Sequence, residues 1–375
     1  MNSFFASFIC LFIRNKKRKQ FLYDFLTKRI EKDAEKEVID ALYSGKDTKN
    51  INDTLFLNRL NDKTNDLKKA ISNVDNRMAA LKVHQDLMFM TLYKGKEESL
   101  LDAKKRFFLN LPPAEGMMRK AQLLEAYLLK NLHRICTENN LTYFLSFGTL
   151  LGAVRHEGFI PWDDDMDIIM PRQDLERLME ILKDNPDFWV RSLYVYDRAN
   201  VVHAVKFAFR DIEMPLFFDI FVVDYTDDPE TEVAKTIEKW RGRLYSEAGN
   251  QKMEKGIFSD KRPNQYNRLR QLYTEHKDKA YSECRINKTK GRYLIWAFDN
   301  FTNRNIRFGK TEDIFPAVQI RFEGNSFNVP SNHIQWLENY YGDIYTLPMD
   351  LVAKKHYKLS EIHKNNINKL YKKYS

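Results

Sequence analysis

The spacing of apolar positions changes several times along this chain, and each change predicts a different element. Between residues 60 and 88, Leu60, Leu67, Val74, Leu81 and Met88 recur every seven positions. Ile71 and Met78 are interleaved, and Thr64 and Gln85 are the polar exceptions. That period predicts a coiled coil or helical hairpin, or an amphipathic helix packed on its own chain. Leu111-Pro112-Pro113 then punctuates the sequence. From Met117 to Glu138 a stripe of Leu124, Tyr127, Leu128, Leu132 and Ile135, with Asn131 among them, predicts a helix lying on a sheet.

Strand-like runs follow. Tyr143 to Leu145 reads as a short buried strand, and Leu150 to Val154 returns to helical spacing. Ile168-Ile169-Met170 is a strand, and Pro171-Arg172 opens a helix reaching about Lys183. Val201 to Asp211 alternates, with His203, Val205, Phe207 and Phe209 on one side. Leu216 to Val223 reads as a buried strand, with Asp224 just beyond it. Glu230 to Arg285 is helical and basic, and Trp296 to Phe298 is a core segment. A hairpin turning at Gly324-Asn325 precedes a helix from Ile334 to Tyr341 that Gly342 ends. The pattern predicts an α/β (α+β) fold: a mixed sheet flanked by helices, an N-terminal helical or coiled-coil appendage, and a helical insertion. The expected organisation is a segment 1–20, a helical region 21–110, a catalytic domain 111–357 and a basic tail 358–375.

Composition narrows the class. With 375 residues, 43% of them hydrophobic, the chain can hold one large domain and an appendage. The formal charge of +9 suits anionic partners such as nucleotide diphosphates, anionic lipid or nucleic acid. The 3 cysteines, Cys10, Cys136 and Cys284, lack paired spacing, which argues for a reducing compartment and against a structural zinc site. Ser3 to Ile13 is an apolar run, shorter than the about 20 residues that cross a bilayer. Arg14, Lys16, Lys17, Arg18 and Lys19 follow it rather than precede it, so a secretory signal is not expected. Residues 3–19 instead fit a segment lying on a membrane surface, the alternative being a packed N-terminal helix. The expected place is cytoplasmic, peripheral at the inner face of the membrane.

The chemistry concentrates between Tyr143 and Arg172. Ser146-Phe147-Gly148-Thr149 joins a strand to a helix start, an arrangement that presents backbone N–H groups to phosphate. Then come Asp163, Asp164, Asp165 and Asp167, running straight into the strand. On a strand Asp165 and Asp167 share one face, with Asp163 at its entrance. Carboxylates this close repel one another unless a cation neutralises them. Oxygen-only donors suit Mg²⁺ or Mn²⁺ beside a phosphate-gripping turn. A Ca²⁺ loop or a helix-capping acidic turn is the bland alternative. Asp219, a single acid inside an apolar strand, is the natural third carboxylate, unless it is a structural ion pair.

GTLLGAVRHEGFIPWDDDMDI resembles the signature of the LicD/fukutin-type phosphotransferases, a branch of the nucleotidyltransferase superfamily. Phe315-Pro316, Phe322-Glu323-Gly324, Val329-Pro330, Tyr341-Gly342-Asp343 and His356 resemble the C-terminal half of the same pattern, so the likeness spans roughly Glu115 to His356. The resemblance implies a nucleotidyltransferase-type sheet with carboxylates on adjacent strands. It implies transfer of a phospho-alcohol, such as phosphocholine or ribitol or glycerol phosphate, from a CDP-linked donor to a sugar hydroxyl of a surface polysaccharide or lipid-linked glycan. Asp165, Asp167 and Asp219 would hold Mg²⁺ or Mn²⁺, and Asp163 would be a supporting carboxylate or the base. Gly148 and Thr149 would hold phosphate oxygens. Arg155 and His156 would clamp the diphosphate or orient the acceptor, His156 being otherwise a buried histidine. Lys206 is a further candidate for phosphate contact.

Two other readings stand beside this one. The first is a nucleotidyltransferase acting on a small molecule or RNA with release of pyrophosphate. The second is a non-catalytic scaffold or nucleic-acid binder using the heptads and the basic surface. The acidic cluster argues against a nucleic-acid partner. A homo-oligomer through residues 60–88 is a further expectation.

Overall fold

The computed structural model describes residues 49–197, 200–210, 216–259, 263–287, 289–299, 307–346 and 359–374. The expected membrane-surface segment, Cys10 and His356 lie outside them. The described residues divide after Leu100 into two units. In the first, α1 (Lys49–Leu92) is one uninterrupted helix, which replaces the helical-hairpin alternative over these residues. Leu60, Leu67 and Met78 have no described side chains. Val74, Leu81 and Met88 are each more than half exposed, so this part of the stripe lies on the helix surface.

The second unit is mixed α/β. In chain order it contains α2 (Leu100–Leu109), α3 (Gly116–Glu138), β1 (Phe144–Leu145), α4 (Phe147–His156), β2 (Asp167–Pro171) and α5 (Arg172–Ile181). Strands β3 (Phe188–Tyr196), β4 (Val201–Phe209) and β5 (Phe217–Thr226) follow, then α6 (Glu230–Asn250), β6 (Gly256–Phe258) and α7 (Pro263–Glu283). The chain ends with β7 (Tyr293–Trp296), β8 (Arg307–Lys310), α8 (Thr311–Ile314), β9 (Val318–Phe322), β10 (Asn325–Val329), α9 (His333–Tyr341) and α10 (Glu361–Tyr374).

The main sheet runs in the order β1-β2-β5-β4-β3-β6, with β7 and β8 added beside the far end of β5. Among the described residues only the β2–β5 pairing is parallel, since α5, β3 and β4 form the crossover between them. The pleat assigns two faces. Ile168, Met170, Phe218, Ile220 and Val222, with Val205, Phe207 and Phe209 of β4, enter one core with Leu124, Leu128 and Leu132 of α3 and Leu175 and Leu178 of α5. Asp167 and Asp219 start the other face. Farther along the same strands that face becomes apolar, where Ile169 and Val223 join Phe144, Leu294 and Trp296. No helix among the described residues is long and apolar enough to cross a membrane.

Four expectations change. Strand β5 continues to Thr226 because β7 pairs with its far end, so Asp224 lies inside the strand, fully buried, and not beyond it. The helical insertion also contributes β6, which closes the sheet edge against β3. The β9–β10 hairpin turns at Glu323-Gly324, both at positive φ (47° and 75°). The stretch read as a basic tail forms α10, which buries Ile367 and Leu370 and stacks Tyr374 on Tyr127 of α3 at 4.2 Å.

A buried polar network ties the insertion to the sheet. Arg172 donates to Asp224 Oδ1 and Oδ2 at 2.8 and 2.7 Å and pairs with Asp299. Tyr281 donates to Asp224 at 2.6 Å and Tyr273 to Asp299 at 2.9 Å. His203 bridges Asp299 and Ser192, each at 2.7 Å. Ser192, His203 and Asp299 thus follow the order of a hydrolase relay. Asp299 is committed to Arg172 and Tyr273, however, and the His203 ring is stacked on Tyr194, so the chain acts as wiring within the core. Burial would raise the Asp299 pKa, but Arg172 and His203 hold it well below the usual carboxylate range.

Candidate active site

The acidic segment does not begin as a strand. Strand β2 starts at Asp167, and residues 163–166 are irregular. Gln122 of α3 explains this, because its side-chain amide donates to the Asp163 carbonyl at 2.9 Å and to the Ile160 carbonyl at 3.4 Å. Backbone groups that a neighbouring strand would bond are held by the helix layer instead. Asp165 therefore reaches the site from a loop, and not from the strand face shared with Asp167.

Three strands carry the rest in register. Asp167 of β2 lies opposite Asp219 of β5, and Asp219 lies opposite Lys206 of β4. The Lys206 ammonium sits 3.0 Å from Asp219 Oδ1 and 3.4 Å from the centre of the Phe217 ring. Burial, followed by the charges of Asp165, Asp219 and Asp163, raises the Asp167 pKa well above its ordinary value, and Lys206 opposes the shift. Among the described residues, the tightest acidic group is Asp163, Asp164 and Asp165, with one oxygen from each within 4.8 Å of the others. Asp165, Asp167 and Asp219 interact through their charges but are not gathered as closely, and Lys206 holds Asp219 on its own side.

The phosphate-type turn adjoins these acids. Asp167 N–H donates to Thr149 Oγ1 at 2.8 Å, so the buried Thr149 hydroxyl fixes the start of the acidic strand. A Cβ added to Gly148 would come within 2.6 Å of Asp163 Oδ2, so a side chain there would displace the Asp163 carboxylate. Phe147 holds a left-handed backbone (φ 47°) and is wedged against Phe221 at 4.7 Å and Tyr340 at 5.0 Å. Ser146, the residue before α4, makes no side-chain cap to the helix.

Arg155 and His156 pack against α2, and the charge of Asp163 still reaches Arg155. The buried Arg155 guanidinium lies 4.0 Å over the Phe108 ring and donates to the Ile344 carbonyl at 3.1 Å, and burial lowers its pKa to about 10. His156 sits edge-on to Phe108 and Trp162, and burial and the Arg155 charge lower its pKa to about 4. Both pack where the end of α4 meets α2.

Two further residues had no role in the reading of the sequence, Glu323 being noted there only within the family-like pattern. Glu323, in the hairpin turn, takes a bidentate pair from Arg119 at 2.8 and 2.7 Å and accepts Phe159 N–H at 3.1 Å. It pins the GFIP segment that leads into the acids. Glu125 of α3 is fully buried under the acidic loop, and among the described residues neither oxygen has a hydrogen-bond partner. Burial first, then Asp165, Asp163, Asp164 and Asp167, raises its pKa well above the ordinary range. A signal for Glu125 was present, since helical spacing places it on the same stripe as Ala121, Leu128 and Leu132.

A carboxylate-lined loop thus lies at the mouth of a mixed sheet, beside a strand-to-helix turn that holds Phe147 at positive φ. Residues 140–262 match the family described as LicD/FKTN/FKRP, nucleotidyltransferase domain. Over those residues, about a third of the chain, the chain is similar to the LicD/fukutin-type family. The lipopolysaccharide cholinephosphotransferase LicD of Haemophilus influenzae is 23% identical over 262 residues, 64% of this chain and 96% of that protein. Uncharacterized proteins of Rickettsia prowazekii and Rickettsia typhi are 51% and 49% identical over 55 residues, 15% of this chain and 21% and 18% of theirs.

The residues present fit a hard divalent cation. All the clustered donors are carboxylate oxygens, and Glu125 adds a buried carboxyl whose two oxygens have no hydrogen-bond partner among the described residues.

Proposed function

We propose that this phosphotransferase moves a phospho-alcohol, phosphocholine above all, from a CDP-activated donor to a hydroxyl of a surface polysaccharide or lipid-linked glycan. The acceptor oxygen forms a bond to the phosphorus that carries the alcohol, the bond from that phosphorus to the bridging oxygen breaks, and CMP leaves. The acceptor proton passes to a base, for which the half-exposed Asp163 is the candidate. The observation that carries this reading is the registered row Asp167–Asp219–Lys206, two acids and one ammonium at the same level of three adjacent strands. The named relative supports phosphocholine as the group and lipopolysaccharide as the class of acceptor.

Mg²⁺ or Mn²⁺ held by Asp165, Asp167 and Asp219 would neutralise charge on the diphosphate and on the departing CMP. Lys206, 3.0 Å from Asp219, would meet a phosphate oxygen once Asp219 turns to a cation. The first N–H groups of α4, uncapped by Ser146, give the donor's phosphates a positive helix end. Residues 3–19 would dock the protein on the membrane surface beside a lipid-linked acceptor, and the stripe of residues 60–88 would pair copies of the chain.

Product analysis tests the reaction. With CDP-choline, Mg²⁺ and lipopolysaccharide, ³¹P NMR should show CMP and a new phosphodiester. Pyrophosphate released from a nucleoside triphosphate, with no CMP from any CDP-linked donor, would favour nucleotide transfer instead.

A further inference from the structure

We propose that Glu125 supplies a ligand oxygen to the divalent cation of the site, from the buried side of the acidic loop. The inference rests on the metal-dependent reading above and extends it to a residue outside the acidic motif. Glu125 lies in the middle of α3, on the stripe that packs into the main core, where a leucine would bury apolar surface with no polar penalty. It is fully buried, and neither carboxyl oxygen finds a donor among the described residues. Buried polar side-chain atoms normally have partners, so each one without a partner requires a reason.

The surroundings supply that reason. The charges that act most strongly on Glu125 are those of Asp165, Asp163, Asp164 and Asp167, in that order. Gln122, one turn earlier on the same helix, already grips the carbonyls of Ile160 and Asp163. This face of α3 therefore meets the acidic loop directly, and the Glu125 carboxyl is held against it. Five carboxyl groups at one place make sense together if a cation sits among them.

Mn²⁺ binding to the full chain tests the proposal, read by calorimetry or by the loss of free-ion paramagnetic signal. Glu125→Gln keeps the shape of the side chain and removes its charge. It should weaken Mn²⁺ binding by about 10- to 100-fold. Its melting temperature without metal should equal or exceed that of the parent, and the Mn²⁺-induced rise should shrink. Glu138→Gln, an exposed change at the end of the same helix, should leave Mn²⁺ affinity unchanged. Equal Mn²⁺ affinity in the parent and Glu125→Gln overturns this inference and leaves the proposed function standing. A parent chain that binds no Mn²⁺ overturns the metal-dependent reading itself. If Glu125→Gln does not fold, Glu125→Asp withdraws the oxygens by one methylene and keeps the charge; its Mn²⁺ affinity should fall, and an unchanged affinity overturns the proposal equally.

Discussion

Asp167 and Asp219 face each other across the one parallel pairing of the main sheet, and Lys206 stands level with Asp219 on the next strand. Two acids on neighbouring strands repel, and here the ammonium pairs directly with Asp219 at 3.0 Å and only partly offsets the charges acting on Asp167. Asp167 carries the remaining strain, seen in its raised pKa.

That imbalance gives a pH dependence. Between its ordinary value of 3.8 and its raised native value, Asp167 keeps a proton that the unfolded chain has released. Metal-free stability should therefore fall as pH rises through that window. Asp167→Asn should flatten the slope and raise the metal-free melting temperature at neutral pH, as thermal unfolding across a pH series would show.

Lys206→Met removes the ammonium but keeps the stem that packs on Phe217. Transfer should slow by about 10²- to 10³-fold, the usual loss for one positioned charge-stabilising donor. Steady-state CMP release measures it, with circular dichroism as the check on folding.

The network around Arg172 predicts a stability effect without a change in chemistry. Arg172→Met leaves Asp224 and Asp299 buried without their cation and should cost about 3–5 kcal/mol in urea unfolding. The depressed Asp299 pKa adds a sign. Its stabilising contribution is present above the ordinary carboxylate value of 3.8 and is lost as pH falls below it. Acid unfolding of the parent should therefore be steep there and shallower in Asp299→Asn.

His156, lowered to about pKa 4 among aromatic neighbours, is neutral throughout the physiological range. The pH profile of kcat/KM should show no limb near 6.5 that disappears in His156→Phe. A limb that vanishes with this change would return His156 to the chemistry.

Much of this arrangement was legible from residue order. The period-two and period-3.6 patterns located α3, β2, β4, β5 and the hairpin, and the lone acid in LFFDIFVV marked Asp219. Other features depend on partners distant in sequence. Strand β3 mixes polar and apolar residues on both faces because it lies between the sheet and the insertion. Asp224 joins β5 only because β7 pairs there, and Arg172, which the sequence offers as a helix start, is its buried counter-ion. Arg155 and His156 follow the glycine-rich turn closely enough to suggest phosphate contact, but Phe108 from α2 claims both. Glu125 was hidden by the apolar stripe that surrounds it.

The central claim is that the acids at the mouth of β2 and β5 drive release of CMP from a CDP-linked donor. The most direct measurement is the rate of CMP release from CDP-choline by the parent chain and by Asp167→Asn, each titrated with Mg²⁺. The account predicts a Mg²⁺-dependent rate in the parent and a loss of at least about 10³-fold in a variant that remains folded. Equal rates in the two proteins, or a parent rate indifferent to Mg²⁺, would contradict it.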